Sequence, residues 1–132
     1  MNESGENYLE TILLLKAQNG QVRSVDVAKM LGYSKPSVSR AMGLLKSDGY
    51  IFIDENGYIE LTVQGEKLAK SIYDKHVFFT EFLVKFAEVP RETAEEDACR
   101  IEHVISDDSF EGLKRYMSRN GRRIAGGMHQ RR

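Results

Sequence analysis

The sequence predicts a mainly α-helical protein with one small β-hairpin, arranged as a winged helix-turn-helix followed by an all-helical domain. Apolar residues recur at helical spacing along most of the chain, which indicates amphipathic helices. Two of the predicted helices are separated only by a tight turn at Gly32. Two short apolar runs flank Asn56-Gly57, a pair that favours a two-stranded hairpin. Helix, helix, turn, helix and hairpin is the order of elements in a winged helix-turn-helix.

The first half of the chain is expected to contain three helices, covering residues 6–17, 25–31 and about 35–47. Ser24 and Ser34 are the expected N-caps of the second and third helices, because a hydroxyl oxygen can accept a bond from a free backbone N–H. Pro36 suits the first turn of the third helix, where its missing N–H removes no helical hydrogen bond. The hairpin strands are predicted within Tyr50–Ile53 and Tyr58–Leu61.

The second half of the chain is predicted to be entirely helical. Thr62 is the expected N-cap of a long helix through about Phe86, which Val89-Pro90 ends. The core candidates of that helix are Leu68, Ile72, Phe79 and Leu83. Two further helices are predicted over Thr93–Ile105 and, after a Ser106 cap, over Asp107–Met117.

Length and composition restrict the function classes. The chain has 132 residues, of which 41% are hydrophobic and 30% charged. This composition suits one compact domain or two small subdomains and excludes a large multidomain enzyme. The first helix carries no apolar run near the roughly 20 residues that a membrane span requires, and no secretory signal is visible, so we expect no membrane and a cytoplasmic location. The single cysteine, Cys99, is consistent with a reducing compartment.

The net charge of −1 conceals regions of different sign. Residues 21–50 contain five Lys and Arg against two acids, whereas residues 76–112 contain ten acids against three bases. Residues 113–132 contain seven bases and no acid. The predicted helix-turn-helix is therefore locally basic, as nucleic-acid binding requires.

The third helix is predicted to read DNA, because the helix after the turn enters the major groove in this fold. Hydroxyl groups and cations suit phosphate oxygens, and an arginine can bond guanine through two hydrogen bonds. The candidate contacts on this helix are Ser34, Lys35, Pro36, Ser37, Ser39 and Arg40. On the acidic wing, Asn56 and Tyr58 are the residues suited to DNA. Double-stranded DNA is the expected partner, with a plain protein-interaction module as an alternative use of the fold.

A metal site is predicted from Cys99, Glu102 and His103, which are spaced i, i+3 and i+4. On a helix this spacing brings the three side chains to one face. Thiolate, carboxylate and imidazole together favour Fe²⁺, Mn²⁺, Co²⁺, Ni²⁺ or Zn²⁺ over Mg²⁺ or Ca²⁺. Asn7 and Glu10 on the first helix are also one turn apart, and His76 adds a second imidazole.

Two other functions are compatible with the same residues. Open positions on a bound metal could activate water in an enzyme, but the sequence offers no separate general base and no small-molecule substrate is expected. In a metal-independent winged-helix regulator or adaptor, Cys99 and its neighbours would be structural. The sequence favours a non-enzymatic regulator.

Four segments resemble the diphtheria-toxin-repressor and manganese-transport-regulator family, in a short form without the SH3-like domain. They are Tyr8–Ile12, Ser34–Ser39, Leu61–Gly65 and Asp97–Asp107. The resemblance implies a homodimeric, metal-activated transcriptional repressor that binds palindromic operator DNA and controls iron or manganese homeostasis genes. It further implies a DNA-binding domain over residues 1–71, a helical metal-binding and dimerisation domain over 72–118, and a basic tail over 119–132 that we expect to be mobile.

By the same resemblance, six residues match metal-ligand positions: Asn7, Glu10, His76, Cys99, Glu102 and His103. Cys99 matches the iron-type members, Glu10 resembles the manganese type, and Asn7 replaces the Met or Asp of the two branches. Thr80 stands where iron-type members place an acid, and Glu95 stands where they place a His. Glu95 is therefore a candidate ligand of a second site. The resemblance implies Fe²⁺ or Mn²⁺ as the cofactor.

Overall fold

The fold, given by a computed structural model that describes residues 1–121, is a winged helix-turn-helix joined by a long helix to two shorter ones. Its helices and strands are α1 (Glu3–Asn19), α2 (Ser24–Leu31), α3 (Lys35–Ser47), β1 (Ile51–Ile53), β2 (Ile59–Leu61), α4 (Val63–Phe86), α5 (Arg91–Val104) and α6 (Asp107–Tyr116). A π-helical turn, Met117–Gly121, follows α6. The predicted fold class is confirmed. No helix among the described residues is long and apolar enough to cross a membrane.

The hairpin is antiparallel, with Ile51 opposite Leu61 and Ile53 opposite Ile59. Gly57 has a φ of 84°, in the region where glycine avoids the steric penalty of a side chain. Ile51 and Ile59 point into the core of the DNA-binding half, with the buried Leu9 and Ile12 of α1. The wing is therefore anchored on the same apolar core as the helices.

Three of the four predicted N-caps are confirmed. The hydroxyls of Ser34, Thr62 and Ser106 accept bonds from the backbone N–H groups of Ser37, Gly65 and Ser109, respectively. The prediction that Ser24 caps α2 is wrong, because Ser24 is the first residue of that helix. Asp26 Oδ2 instead accepts a bond from the Arg23 N–H at 2.8 Å. The carboxylate of a residue within the first turn of α2 therefore satisfies the backbone N–H that precedes the helix.

Other helix limits differ slightly from those predicted. α1 begins at Glu3 because Asn2 caps it, with its side chain accepting from the Gly5 N–H at 2.8 Å. α5 begins at Arg91, directly after Pro90, instead of at Thr93. The predicted tail begins in the π-helical turn that extends to Gly121, and the rest of that tail lies outside the described residues.

The second half is built on the side of α4 that faces α5 and α6. Phe79 of α4, Ala98 of α5 and Phe110 of α6 form a buried cluster, and Phe78 packs edge-on against Phe110. Ile72 and Phe79 are buried as predicted, whereas Leu68 and Leu83 are only partly buried. α4 continues without a break through residue 71, so the predicted division between residues 71 and 72 falls inside a helix.

α4 begins in close contact with the chain before the wing. The Thr62 N–H donates to the Tyr50 carbonyl at 3.1 Å, and the Thr62 hydroxyl donates to the Gly49 carbonyl at 2.7 Å. A Cβ atom on Gly65 would lie 1.9 Å from the Tyr50 carbonyl oxygen. Only glycine lets the first turn of α4 approach this closely, so Gly65 determines where the long helix leaves the DNA-binding half.

We expect Gly65→Ala to lower the free energy of unfolding by about 1–3 kcal/mol, the usual range for overpacking, because backbone must move to accept the methyl group. Gly43→Ala in α3 is the matched control, since nothing lies within 4 Å of its added Cβ among the described residues. Urea denaturation of both variants measures the difference. Equal stability of the two would contradict the close contact.

Candidate metal centre and DNA-binding surface

Three side chains that could bind a metal converge on one face of α5. The Cys99 Sγ, a Glu102 oxygen and a His103 ring nitrogen all lie within 4.8 Å of one another. Their spacing along the helix produces this convergence, as expected from the sequence. Glu102 is 2% exposed, and the side chain of His103 is 1% exposed.

Helices α1 and α4 bring a second group of donor atoms to the same carboxylate. Glu10 of α1, His76 of α4 and Glu102 of α5 also have ligand atoms within 4.8 Å of one another. His76 Nδ1 donates to Glu102 Oε2 at 3.0 Å. Glu102 therefore belongs to both groups and lies where the three helices meet.

His103 is held by two residues of α1. Its Nδ1 donates to Glu6 Oε1 at 2.8 Å, and its Nε2 lies 2.9 Å from Asn7 Oδ1. Asn7 is thereby brought to the cluster, as predicted. Sequence reasoning missed Glu6, although Glu6 and Glu10 are spaced i, i+4 on the helix. A carboxylate on one ring nitrogen fixes the tautomer that leaves the other nitrogen for a metal.

One oxygen of Glu102 is incompletely satisfied by the described residues. Oε1 is buried and makes no hydrogen bond, although His103 Nε2 lies 3.3 Å away, within ion-pair distance. A buried carboxylate oxygen without a hydrogen bond is costly. A cation bonded to this oxygen would remove that cost.

The electrostatics of the cluster indicate a shortage of positive charge. Burial, reinforced by the neighbouring Glu102 carboxylate, raises the pKa of Glu10 to about 8. Burial and the charges of Glu102, Glu10 and Glu3 raise the pKa of the Cys99 thiol to about 11. The bond to Glu102 raises the pKa of His76, and nearby carboxylates, including Glu95, add to the effect.

These residues fit a divalent transition metal. Thiolate, imidazole and carboxylate groups together are the donor set of such ions, and the orphaned Glu102 oxygen is one donor already aimed into the cluster. A bound dication would favour the deprotonated thiol and carboxylate, so binding would release protons.

Glu95 and Thr80, the two positions associated with a second site, do not belong to the cluster around Glu102. Glu95 is exposed and belongs to neither group of converging donor atoms, although its charge reaches His76. Thr80 is buried, and its hydroxyl has no hydrogen-bond partner among residues 1–121. Glu95 therefore remains only a predicted ligand.

The predicted DNA-reading residues lie together on the outer side of α3. Ser34, Lys35, Pro36, Ser37, Ser39 and Arg40 are all exposed. Val38, Met42 and Leu45 on the opposite side are buried. The Ser34 hydroxyl donates to the Ser37 hydroxyl at 2.9 Å. The third helix thus presents its polar face to solvent, as a recognition helix must.

The wing places Asn56 at its exposed tip and leaves Tyr58 half-buried. The guanidinium of Arg23 lies over the Tyr58 ring, 4.3 Å from its centroid. Sequence reasoning did not single out Arg23 as a site residue. Its place beside the wing depends on contacts between distant segments, which residue spacing does not reveal.

The fold and the cluster together define a class of protein: a winged-helix regulator whose first helix also supplies donor atoms to a metal-binding helical half. Two family descriptions match the chain. "Iron dependent repressor, N-terminal DNA binding domain" matches residues 1–58, and "Iron dependent repressor, metal binding and dimerisation domain" matches residues 62–129. The chain belongs to the iron dependent repressor family, which confirms the resemblance drawn from the sequence.

Individual relatives agree with this assignment. An HTH-type transcriptional regulator of Methanocaldococcus jannaschii is 37% identical over 120 residues, covering 90% of this chain and 96% of that protein. The iron-dependent repressor IdeR of Mycobacterium leprae is 32% identical over 106 residues, covering 80% and 46%. The structure of the manganese regulator SloR superposes with a TM-score of 0.77 at 27% identity, covering 89% and 54%. The chain thus spans about half the length of IdeR and SloR.

We expect the stability of the metal-free protein to fall as pH rises from about 5 to 8. The pKa of Glu10 is about 8 in the fold and 4.5 as its ordinary value, so the folded state binds more protons across this range and loses stability as they leave. The raised pKa of His76 acts in the same direction. Denaturation in a chelator at several pH values measures the slope.

Glu10→Gln should make this pH dependence shallower, because the amide does not titrate. Glu96→Gln, which changes an exposed acid on α5, is the matched control and should keep the wild-type slope. An unchanged slope in Glu10→Gln would show that the carboxyl is not protonated in the folded protein.

Proposed function

We propose that this protein is a metal-activated transcriptional repressor that binds palindromic operator DNA as a homodimer and controls iron or manganese homeostasis genes. One observation carries the proposal: donor atoms of α1, a helix in the core of the DNA-binding half, meet those of α4 and α5 around the buried Glu102. A metal held by donor atoms of all three helices would connect the two halves of the chain.

The proposed metal ligands come from three helices: Asn7, Glu10, His76, Cys99, Glu102 and His103. The metal is Fe²⁺ or Mn²⁺, as supported by the similarity to the iron-dependent IdeR and to the manganese regulator SloR. When bound, it supplies the positive charge that the carboxylates lack. Glu6 positions His103 through the 2.8 Å bond to Nδ1. Glu95 is the candidate for a second site, beside His76.

The proposed DNA contacts are of two kinds, to base edges and to phosphate oxygens. Arg40 reads a base edge, because a guanidinium can form two bonds with guanine. Hydroxyls and the Lys35 ammonium bind phosphate oxygens. The full set is Ser34, Lys35, Pro36, Ser37, Ser39, Arg40, Asn56 and Tyr58.

The proposed domains follow the same division, with residues 1–71 binding DNA and residues 72–118 binding metal and a second copy. Two α3 helices of a homodimer would then contact half-sites separated by about 34 Å, one turn of DNA, or a multiple of it. Such a repressor acts on DNA, and we therefore propose a cytoplasmic location.

We propose a regulator without enzymatic activity. The relatives are transcriptional regulators, and the carboxylate shared by the two groups of donor atoms is closed to solvent, which leaves a substrate no access to it. Steady hydrolysis of a nitrophenyl ester or phosphate by the Mn²⁺-loaded protein would contradict this.

We expect metal to be required for DNA binding. A duplex selected from a random library with the Mn²⁺-loaded protein should bind tightly with Mn²⁺ or, under anaerobic conditions, Fe²⁺, and weakly in a chelator. Fluorescence anisotropy measures the affinity, and sedimentation measures the number of chains per duplex. Equal affinity in metal and chelator would contradict metal activation and favour a metal-independent regulator.

Because even outer-shell partners are worth about 10- to 100-fold in metal affinity, Cys99→Ala or His103→Ala should weaken Mn²⁺ binding by at least that factor and abolish activation. Glu96→Gln, on the same helix, is the matched control and should behave as the wild type. Circular dichroism in a chelator checks that the variants fold.

Arg40→Ala should relax the sequence preference at one base pair per half-site, at a loss of about 1–3 kcal/mol for the selected duplex, because a bidentate contact to guanine is removed. Repeating the selection with the variant measures the change. Arg91→Ala, an exposed arginine of α5 paired with Glu81, is the control. If Arg40→Ala leaves the sequence preference unchanged, then a residue other than Arg40 contacts the base.

A further inference from the structure

Arg23 is an exposed cation held against the wing. Its guanidinium carbon lies 4.3 Å from the centroid of the Tyr58 ring, a distance at which a cation is attracted to the aromatic face. Within residues 1–121 it forms no ion pair with a carboxylate. The side chain is therefore ordered by an aromatic ring while its charge stays available to an outside anion.

The backbone next to Arg23 explains this position. Val22 is completely buried, and its carbonyl accepts a bond from the Ile59 N–H of β2 at 2.7 Å. The segment before α2 therefore runs beside the hairpin, with Val22 turned inward and Arg23 outward. Arg23 Nη1 lies 3.1 Å from the point that a Cβ on Gly57 would occupy, so the guanidinium reaches the turn of the wing.

The wing itself has no cation to offer a phosphate. Residues 51–61 contain Asp54, Glu55 and Glu60 and no Lys or Arg. Asp54 is occupied by the turn, because its Oδ1 accepts from the N–H groups of Asn56 and Tyr58 at 2.9 Å each. A cation that contacts a phosphate at this side of the molecule must therefore come from outside the hairpin.

The surface beside Arg23 suits a phosphodiester. A cleft of about 230 Å³ is lined by Ser24, Val25, Lys35 and Ser39, between the start of α2 and the exposed side of α3. It offers an ammonium group and hydroxyls, which bind phosphate oxygens. In helix-turn-helix proteins the helix before the recognition helix crosses the DNA backbone. Arg23 directly precedes this cleft in the sequence and extends its positive charge toward the wing.

We propose that Arg23, stacked on Tyr58, binds a backbone phosphate of the operator and is the means by which the acidic wing contacts DNA. Tyr58 is then the platform that holds the guanidinium in place, and its ring contributes to DNA binding by ordering Arg23. This assignment rests on the proposed function. It adds a DNA-binding residue outside both α3 and the hairpin.

The test measures how affinity for the selected duplex depends on salt, with the Mn²⁺-loaded full chain. Each phosphate contact contributes about −0.9 to the slope of log K against log salt concentration, so Arg23→Ala in a homodimer should make this negative slope shallower by about 1.8. The weakening should be the same for the selected duplex and for a duplex of unrelated sequence, since phosphates carry no sequence information. Mn²⁺ affinity should stay at the wild-type value.

Variants of the platform separate stacking from charge. Tyr58→Phe keeps the aromatic face and should bind DNA more tightly than Tyr58→Leu, which removes the ring under the guanidinium. Arg23→Lys keeps the charge and should retain most of the salt slope. Arg115→Ala, which removes an exposed arginine from α6, is the matched control and should leave the slope unchanged.

The outcomes distinguish this inference from the function on which it rests. Binding by the wild type with an unchanged slope in Arg23→Ala overturns the phosphate contact alone. Equal binding by Tyr58→Leu and Tyr58→Phe overturns the platform. A wild-type protein that binds no duplex with Mn²⁺ or Fe²⁺ overturns the proposed function and the Arg23 assignment together.

Discussion

The arrangement of the molecule depends on the burial of one carboxylate, that of Glu102. A buried charge must be compensated, and compensation is effective only when the partners are held in place. Glu102 has His76 on one oxygen at 3.0 Å, and its other oxygen receives no hydrogen bond from residues 1–121. Burial, and after it repulsion from Glu102, raises the pKa of Glu10. Without a cation, the packing of α1, α4 and α5 therefore brings together groups that repel one another.

Helix α1 connects the buried Glu102 to the DNA-binding half, because one side of the helix packs in the core of that half and the other side faces α4 and α5. Leu9 and Ile12 are completely buried in the core that also holds the wing and α3. Asn7 and Glu10, on the other side, face α4 and α5. A change in how the cluster is bonded consequently acts on a helix that cannot move independently of the DNA-reading surface.

Local chemistry made most of the fold predictable, and long-range contacts account for what was not. The caps at Ser34, Thr62 and Ser106 need only neighbours three residues away. The Ser24 prediction failed because Asp26 satisfied the helix start instead. Cys99, Glu102 and His103 share one helix face, so spacing revealed them. Glu6 and His103 are 97 positions apart in the sequence, and Arg23 contacts Tyr58 through the folded hairpin. Spacing along one helix or strand cannot predict such contacts.

The unbroken α4 has a mechanical consequence. Its 24 residues correspond to a rod on the order of 36 Å long at about 1.5 Å per residue, which starts against the Tyr50 backbone and ends beyond the Phe79 cluster. A rod transmits rotation as well as translation, whereas a flexible linker transmits neither. A tilt of a few degrees where α4 meets the aromatic cluster would displace the wing by ångströms, so the position of the wing relative to the second half is sensitive to the orientation of this helix.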